Sequence, residues 1–140
     1  MVKTIHVDIV SAEGHLYTGE GQMVYVPAVM GEIGIAPRHT PMLTRLKPGN
    51  VRVDPGNGQP QQHFYVSGGM LEIQPFLVTI LADTGIRAAD LDEAAAEEAK
   101  RRAEDALANQ QADMDMAKAQ SELAEAVAQL SAISQMRKVR

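Results

Sequence analysis

The sequence predicts a protein of the β + α class, with a small N-terminal β-sandwich or flattened barrel followed by a C-terminal antiparallel two-helix hairpin. Up to residue 82, apolar residues mostly alternate with polar ones in short runs separated by Gly and Pro, which is typical of strands. Beyond residue 90 they recur every three or four positions, which is typical of amphipathic helices. We therefore expect a β-sandwich domain over residues 1–86 and a helical tail over residues 87–140.

Most of the predicted strands have one apolar and one polar face, as expected for half-buried sheets. Val24 and Val26 should share the buried face of their strand, and Pro27 should restrict that strand to an edge or end position. The stretch around Glu13 and Gly14 is rich in turn-forming residues and is expected to be a loop. The predicted strands are Thr4–Val10, Gln22–Val29, a very short strand within Gly31–Pro41, Met42–Leu46, Gly49–Asp54, His63–Val66, Leu71–Gln74 and Phe76–Ala82.

The junction between the strands and the helices carries two expectations. The segment Phe76–Ala82 is apolar on both faces, so one face should lie on the sandwich core and the other should be covered by the tail in at least one state. The segment Thr84–Arg87 follows it, and Gly85 gives this segment backbone freedom. We expect residues 84–87 to act as a hinge for the tail.

The tail has its own start signals. Asp90 and Glu93 form a pair resembling a capping box at the start of a helix over residues 91–108. The run Asn109–Gln111 interrupts the pattern, and Asp113 is a candidate cap for a second helix. The expected contact residues are Leu91, Ala95, Ala99, Ala103, Ala106 and Leu107 in the first helix and Met116, Ala119, Leu123, Val127, Leu130 and Ile133 in the second.

An alanine-rich hairpin of this kind should dock weakly. Exchanging Leu for Ala at a contact position forfeits about 2 kcal/mol of burial free energy, whereas the intrinsic helix propensity of alanine is the highest of all residues. The helices should therefore persist when they separate from the body. Two hypotheses stay open: a tail that changes its docking partner, and an ordinary hairpin that stays in one place.

Composition and motifs exclude several functional classes. The chain of 140 residues has a net charge of -5 and no cysteine, which argues against nucleic acid as a partner and rules out disulfides and thiolate metal sites. Its longest apolar run is too short to span a bilayer, and its start lacks the apolar core of a signal peptide. No nucleotide-binding, hydrolase or metalloprotease motif occurs. The four histidines are scattered singly, so we expect neither a metal nor a catalytic centre.

The loop Gly31–Pro41 is the exception among the connecting segments. It contains two glycines and two prolines in eleven residues, which indicates a shaped surface loop. Glu32 is either a solvated loop acid or a contact for a polar partner. His39, next to Arg38, either orders the loop through a hydrogen bond or contributes to a binding surface.

Four segments in this order identify a family resemblance. They are SAEGHLYTGEG, GEIGIAPRHTPMLTRLKPG, FYVSGGMLEIQP and VTILADTGIRAADLDEAAAEEAKRRAEDAL, and an alanine-rich second helix follows them. Together they closely resemble the epsilon subunit of bacterial F-type ATP synthase over essentially the whole chain. The resemblance implies a non-catalytic rotor subunit that is peripheral to the cytoplasmic face of the plasma membrane and does not insert into it.

The resemblance also assigns expected contact residues. Gly31, Glu32 and Gly34 match family positions that face the polar loops of the membrane c-ring. His39 and Thr44 match positions that lie against the gamma shaft. Through these contacts, rotation of the ring would reach the catalytic head.

The tail resembles the family's inhibitory element, which either folds beside the sandwich or extends along the shaft to the alpha and beta catalytic subunits. Its cationic side chains would then contact acidic surfaces and suppress ATP hydrolysis. The alternative for each cation is a solvated position on a helix. The candidate contacts are Lys100, Arg101, Arg102, Lys118, Arg137, Lys138 and Arg140.

Some family members bind ATP through an I/L-D-x-x-R-A motif at the start of the first helix. The aligned segment here is Leu91–Ala96, in which Asp92 is present but Ala95 replaces the arginine. The substitution removes a bidentate donor and a positive charge. We therefore expect weak or no ATP binding and no other cofactor.

A different class of function is also compatible with the residues alone. The chain could be a free-standing binding module in which the sandwich recognises a ligand and the helical tail dimerises. Co-purification with gamma distinguishes the two hypotheses, because only a stalk subunit should form that complex.

Overall fold

The structure, a computed structural model, describes residues 3–109 and 113–138 of the chain. Within these ranges ten strands form the N-terminal region and a pair of helices forms the C-terminal region, which confirms the predicted fold class. The strands are β1 (Ile5–Ser11), β2 (Gly14–Gly21), β3 (Met23–Ala28), β4 (Gly31–Ile35), β5 (Met42–Leu46), β6 (Gly49–Asp54), β7 (Gln62–Val66), β8 (Gly69–Gln74), β9 (Leu77–Ala82) and β10 (Gly85–Arg87). The helices are α1 (Glu93–Asn109) and α2 (Asp113–Lys138), and a short 3₁₀ turn, Ala88–Asp90, precedes α1.

The strands form one folded-over sheet that closes around a core. Their order is β10-β7-β6-β3-β5-β8-β9-β1-β2, with β4 paired to β3, and β1 pairs in parallel with β9 while the other pairs are antiparallel. The core is aliphatic, because the chain has few aromatic residues. Its buried members are Ile5, Val7, Ile9, Val24, Val26, Ile35, Leu46, Val51, Val53, Phe64, Val66, Leu71, Ile73, Val78, Ile80 and Ala82.

Strand β2 was not among the predicted strands, although the turn expected around Glu13 and Gly14 is present and leads into it. The chain turns back directly after Ser11, and Gly14 supplies the positive φ of 126° that the tight connection needs. Strand β2 then pairs with β1 at the edge of the sheet. Its side chains are mostly exposed and polar, with only Leu16 and Tyr17 packed against the core. An edge strand with so little burial has no alternating apolar pattern to detect.

Pro27 lies next to the last residue of β3, as expected, although β3 is not an edge strand. Its sheet neighbour changes from β6, at Met23–Tyr25, to β5, at Ala28. The Pro27 carbonyl accepts a hydrogen bond from the Lys47 N–H at 3.0 Å on this side. Proline lacks the backbone N–H that a central strand would need for pairing. It is tolerated at position 27 because β3 changes its pairing partner from β6 to β5 at this point.

In this arrangement the tail does not cover the second side of Phe76–Ala82, the face expected for its docking in at least one state. Strand β9 buries Val78 and Ile80 in the core, but on its other side Leu81 is 51% exposed, and Phe76 just before the strand is 68% exposed. Helix α2 lies instead on β6 and β7. The expected hinge was wrong, because Gly85–Arg87 forms β10 and pairs with β7.

The start of α1 differs from the predicted one by two residues. Asp92, not Asp90, is the N-terminal cap: its carboxylate accepts a hydrogen bond from the Ala95 N–H at 3.1 Å. Asp90 belongs to the preceding 3₁₀ turn, and Glu93 pairs with Arg137 of α2 instead of closing a capping box. The roles expected for Gln110, Gln111 and the side chain of Asp113 lie outside the described residues.

The helices use narrower and partly different stripes from those expected. Helix α1 buries Ala96 and Ala103, whereas Ala95 and Ala106 are exposed. Helix α2 has two buried stripes and not a single one, because it packs against both α1 and the sandwich. Val127, placed in the predicted stripe, is consequently 45% exposed. One buried stripe of α2 consists of Ala119, Ala126 and Ile133, which are seven residues apart, and the other consists of Ala128 and Ala132, which are four residues apart.

Candidate interaction surfaces

The hairpin between β3 and β4 presents the first candidate surface. Its tip is apolar and open: Val29 is 49% exposed and Met30 is 94% exposed. Gly31 follows with φ of 132°, a conformation that residues with a side chain rarely adopt. Glu32 lies one residue further along β4, so three of the predicted ring-contact features, Gly31, Glu32 and Gly34, occupy the tip and the strand that leaves it.

Glu32 is not a free carboxylate in this conformation. Its Oε1 lies 3.1 Å from Nη2 of Arg52 on β6. The Arg52 guanidinium also lies over the Tyr25 ring, 4.2 Å from its centroid, which is cation–π geometry. Arg52 therefore holds Glu32 against the sandwich, and a partner that binds Glu32 competes with this ion pair.

The second candidate surface is the outer face of β5, β8 and β9. Arg45, Met70 and Leu81 are directly opposite one another on these three strands, and Leu43, 67% exposed, precedes Arg45 on the same face. Phe76 lies at the end of this face. We call Leu43, Met70, Leu81 and Phe76 the apolar sheet face. Exposed apolar clusters of this kind mark binding surfaces.

The loop that contains His39 is fastened to the same end of the sheet. The Arg38 N–H donates to the Pro75 carbonyl at 2.8 Å, and the Arg38 guanidinium lies 5.9 Å from the Phe76 ring centroid. His39 Nδ1 is 2.7 Å from the Thr40 carbonyl. The structure thus brings His39 close to the apolar sheet face. Thr44 is half-buried, on the side of β5 that carries buried Leu46.

A charged cluster on β1 and β2 extends this outer face. His6 makes hydrogen bonds with Glu20 at 2.7 Å and with Asp8 at 3.0 Å. The Glu20 carboxylate raises the pKa of His6 above its ordinary value, and the same hydrogen bond lowers the pKa of Glu20. A hydrogen bond from Thr18, at 2.7 Å, lowers the pKa of Asp8. The cluster therefore favours an imidazolium held between two carboxylates.

The tail is docked through small side chains and a few polar contacts. Ala128 and Ala132 of α2 pack against Tyr65 and Ala88, with Leu91 and Met136 at the border. Burial raises the pKa of Tyr65 to about 12. Two side-chain contacts accompany the packing: the amides of Asn50 and Gln135 are 2.5 Å apart, and the Tyr65 hydroxyl is 3.5 Å from Glu125 Oε1.

The predicted cations of the tail do not share one face in this docked arrangement. Arg137 makes a bidentate ion pair with Glu93, at 3.0 and 3.1 Å, which joins the end of α2 to the start of α1. Lys118 lies 3.9 Å from Glu122. Arg102 lines a groove together with Glu122 and Glu125. Of the others, Arg101 is exposed, Lys100 is half-buried, Lys138 is exposed and borders α2's contact with β7, and Arg140 lies outside the described residues.

Asp92 and Ala95, the positions of the altered nucleotide motif, have local structural roles. The Asp92 carboxylate is engaged as the α1 cap, and the Ala95 side chain is exposed. Across residues 3–109 and 113–138, no three His, Asp or Glu side chains are placed to hold a metal ion. Neither helix in the described ranges combines the length and apolarity that crossing a membrane requires.

Two features were invisible in the sequence. The residues of the apolar sheet face come from different strands that are separated along the chain. One signal was present: Met42 and Leu43 are successive apolar residues, which indicates that β5 has two apolar sides. The contact of Arg52 with Glu32 joins two strands that are twenty positions apart. Neither pairing follows from spacing within one element.

Taken together, the fold and these surfaces define the class: a β-sandwich subunit that carries a docked helical hairpin and exposes an apolar sheet face. Two family models divide the chain between them. The ATP synthase delta/epsilon chain β-sandwich domain matches residues 4–88, and the delta/epsilon chain long α-helix domain matches residues 89–134. The chain belongs to the ATP synthase delta/epsilon chain family.

Relatives agree over the full length. The chain is 59% identical to the ATP synthase epsilon chain of Nitrosococcus oceani, covering 99% of this chain and 98% of the relative. It is also 59% identical to ATP synthase epsilon chain 1 of Methylococcus capsulatus, covering 100% and 99%. Among solved structures, a chain of the Euglena gracilis mitochondrial ATP synthase (OSCP/F1/c-ring) shares the fold with a TM-score of 0.71 at 15% identity, covering 96% of this chain and 80% of that one.

Proposed function

We propose that this chain is the epsilon-type subunit of the central stalk of a bacterial, proton-translocating F-type ATP synthase. It transmits rotation and does not itself catalyse a reaction. The single observation that carries the proposal is the apolar sheet face, which is exposed in the isolated chain and lies beside the loop matching the family's shaft-contact pattern. The relatives named ATP synthase epsilon chain support the assignment.

The apolar sheet face is the proposed contact with gamma. Leu43 and Leu81 are more than half exposed on a sheet that is otherwise well packed, so covering them releases apolar surface from water at about 25 cal/mol per Å². His39 lies at the same end as this face and would help to fix the register of the shaft, whereas Thr44 is on the opposite side of β5 and would act only through the position of that strand. Arg45 and Glu72, two exposed charged residues on this face, would add specificity.

The hairpin tip is the proposed contact with the c-ring. Met30 would insert between ring loops, while Gly31 and Gly34 let the backbone come close to them. Glu32 offers a carboxylate to basic or amide groups of the ring. Because Arg52 already pairs with Glu32, engagement of the ring exchanges one ion pair for another and costs little electrostatic free energy.

The docked tail is the proposed resting state of an inhibitory element. Extension towards the alpha and beta subunits would separate Ala128 and Ala132 from Tyr65, break the Asn50–Gln135 contact and release the cations of the tail. Small side chains at this interface make the separation inexpensive, since little apolar area is exposed. Lys100, Arg101, Arg102, Lys118, Arg137 and Lys138 would then meet acidic surfaces of the catalytic subunits.

The proposed setting is peripheral, at the cytoplasmic face of the membrane within the assembled complex. The isolated chain should bind ATP weakly or not at all, because Asp92 is used as a helix cap and an alanine stands at position 95. The groove between the two helices also contains Glu122 and Glu125, whose negative charges would repel phosphate groups.

Co-purification with gamma tests the proposal. The variant Leu43→Glu places a charge in the apolar sheet face without touching the core, so it should weaken the complex at least tenfold. The matched control is Val127→Glu, which makes the same kind of change at an exposed apolar position of α2, and it should co-purify normally. Equal recovery of gamma with both variants would refute the assignment of this face.

A further inference from the structure

A small cavity lies between the sandwich and the end of the tail. Its volume is about 270 Å³, and it is lined by Arg52, Gln61, His63, Gln135 and Lys138. Arg52 and His63 come from β6 and β7, and Gln61 lies just before β7. Gln135 and Lys138 come from α2. The cavity therefore exists only while the tail is docked.

Two donor groups on residues that line this cavity are buried and lack partners among the residues that the structure describes. His63 is 6% exposed, and its Nε2 has no hydrogen-bond partner among the residues that the structure describes. The Nε of Arg52 is likewise buried and unpartnered within those residues. Leaving a buried polar group unpaired costs about 1–3 kcal/mol in general, so these two groups make the cavity a candidate binding site.

The charges around the cavity are of one sign. Its lining contains the guanidinium of Arg52 and the ammonium of Lys138 and no carboxylate. Glu32 of β4 pairs with Nη2 of Arg52, and this ion pair does not engage Nε. From β6, the neutral amide of Asn50 faces His63 Nδ1 at 3.3 Å. Burial, and to a lesser degree the neighbouring Arg52, lower the pKa of His63.

We propose that this cavity binds a phosphate-type oxyanion, held by Arg52 Nε, His63 Nε2 and the ammonium of Lys138. The volume suffices for a tetrahedral anion and a few waters, since one water occupies about 30 Å³ in the liquid. An anion favours the imidazolium form of His63, in which Nε2 carries a proton whichever tautomer the neutral ring adopts. Guanidinium and imidazolium donors to an oxyanion are charge-assisted and therefore strong.

Binding at this cavity would stabilise the docked tail. The donors belong to both domains, so the anion binds the docked arrangement and not the separated one, and mass action shifts the equilibrium towards docking. This site is separate from the altered nucleotide motif at the start of α1, because none of the lining residues belongs to that motif. The inference concerns the isolated chain and goes beyond its role in a rotor.

The ring protons of His63 provide the test. The chain has four histidines, so the imidazole signals can be resolved by NMR while sodium phosphate is titrated against sodium chloride at equal ionic strength. We expect phosphate, and not chloride, to shift the His63 signals and to raise its pKa. Lys138→Gln should weaken binding about tenfold, the equivalent of one lost charge-assisted contact. Arg101→Gln, an exposed cation outside the cavity, is the matched control and should bind normally.

Two further arms sharpen the result. Arg52→Gln should abolish binding, whereas Glu32→Gln, which breaks the same ion pair but keeps the donor, should preserve it. A parallel titration with ATP in place of phosphate identifies the natural source of the anion. If ATP shifts the His63 signals equally at a lower concentration, the ligand is the terminal phosphate of a nucleotide. If only phosphate shifts them, the ligand is the free anion. Equal responses to phosphate and chloride, or equal affinities of the Lys138 and Arg101 variants, would overturn the proposal.

Discussion

Enlarging one side chain in the tail interface should undock the tail without unfolding the sandwich. Ala132 is fully buried and packs with Ala128 against Tyr65 and Ala88. Ala132→Leu adds three carbon atoms at a fully buried position, and overpacking of this kind costs about 1–3 kcal/mol. This cluster is separate from the aliphatic core of the sandwich, so the strain falls on docking alone. The docking equilibrium should therefore shift about 5- to 150-fold towards the open form.

Amide hydrogen exchange measures this shift. Amides protected by docking, on β6 and β7 under α2, should exchange faster by that factor, while the amides of β8 and β9 keep the rates of the parent chain. Ala117→Leu, the same substitution at an exposed position of the same helix, is the control and should change neither set. Equal loss of protection across all strands would show that docking and sandwich stability are one cooperative unit, and unchanged rates under α2 would show that the interface tolerates the added volume. Either outcome would refute the reasoning.

Three smaller predictions concern local contacts. His6→Gln should lower the free energy of unfolding by less than about 1 kcal/mol near pH 6, because it removes the ion pair with Glu20. The difference should vanish as the pH rises through the raised pKa of His6, since only the imidazolium makes this ion pair, and urea titrations at several pH values measure it. Asp92→Ala should cost α1 about 1 kcal/mol and Asp92→Asn almost nothing, as read from hydrogen exchange in the first turn, and equal effects would exclude a capping role. Glu93→Gln should weaken the link to Arg137 by about 0.2–1 kcal/mol at low salt, and thermal unfolding should show no difference at about 1 M salt, where exposed ion pairs are screened.

Most of the strands that the sequence revealed have one buried face, although β7 is buried on both. In β1 the apolar residues Ile5, Val7 and Ile9 alternate with polar ones and are buried, as are Val51 and Val53 in β6. Strand β2 has no such pattern, because its place at the sheet edge exposes most of its side chains. Periodicity reports burial and not pairing, so an exposed edge strand escapes it.

The position of the tail could not be predicted for a related reason. Apolar residues on both sides of Phe76–Ala82 indicated two surfaces to be covered, but periodicity does not say what covers them. The structure leaves Leu81 exposed and places α2 over Tyr65 instead. The second apolar side of β9 is thus a surface of the isolated chain, in keeping with a proposed contact to another subunit. The same ambiguity concealed the partnership of Glu32 with Arg52, since both are single charges on separate strands.

The corrected junction also changes where a moving tail would bend. Residues 85–87 are tied down: β10 pairs with β7, and Arg87 donates to the Leu16 carbonyl at 2.9 Å while its guanidinium lies 5.4 Å from the Phe64 ring centroid. Residues 88–92, by contrast, form a 3₁₀ turn and a cap, which hold few hydrogen bonds to the sandwich. If the tail bent at Gly85, the pairing of β10 with β7 would be lost. If it bent within residues 88–92, mainly the contacts of Ala88 and Leu91 with α2 and Tyr65 would be lost. The cheaper path puts the bend after Arg87, so β10 stays with the sandwich in either state of the tail.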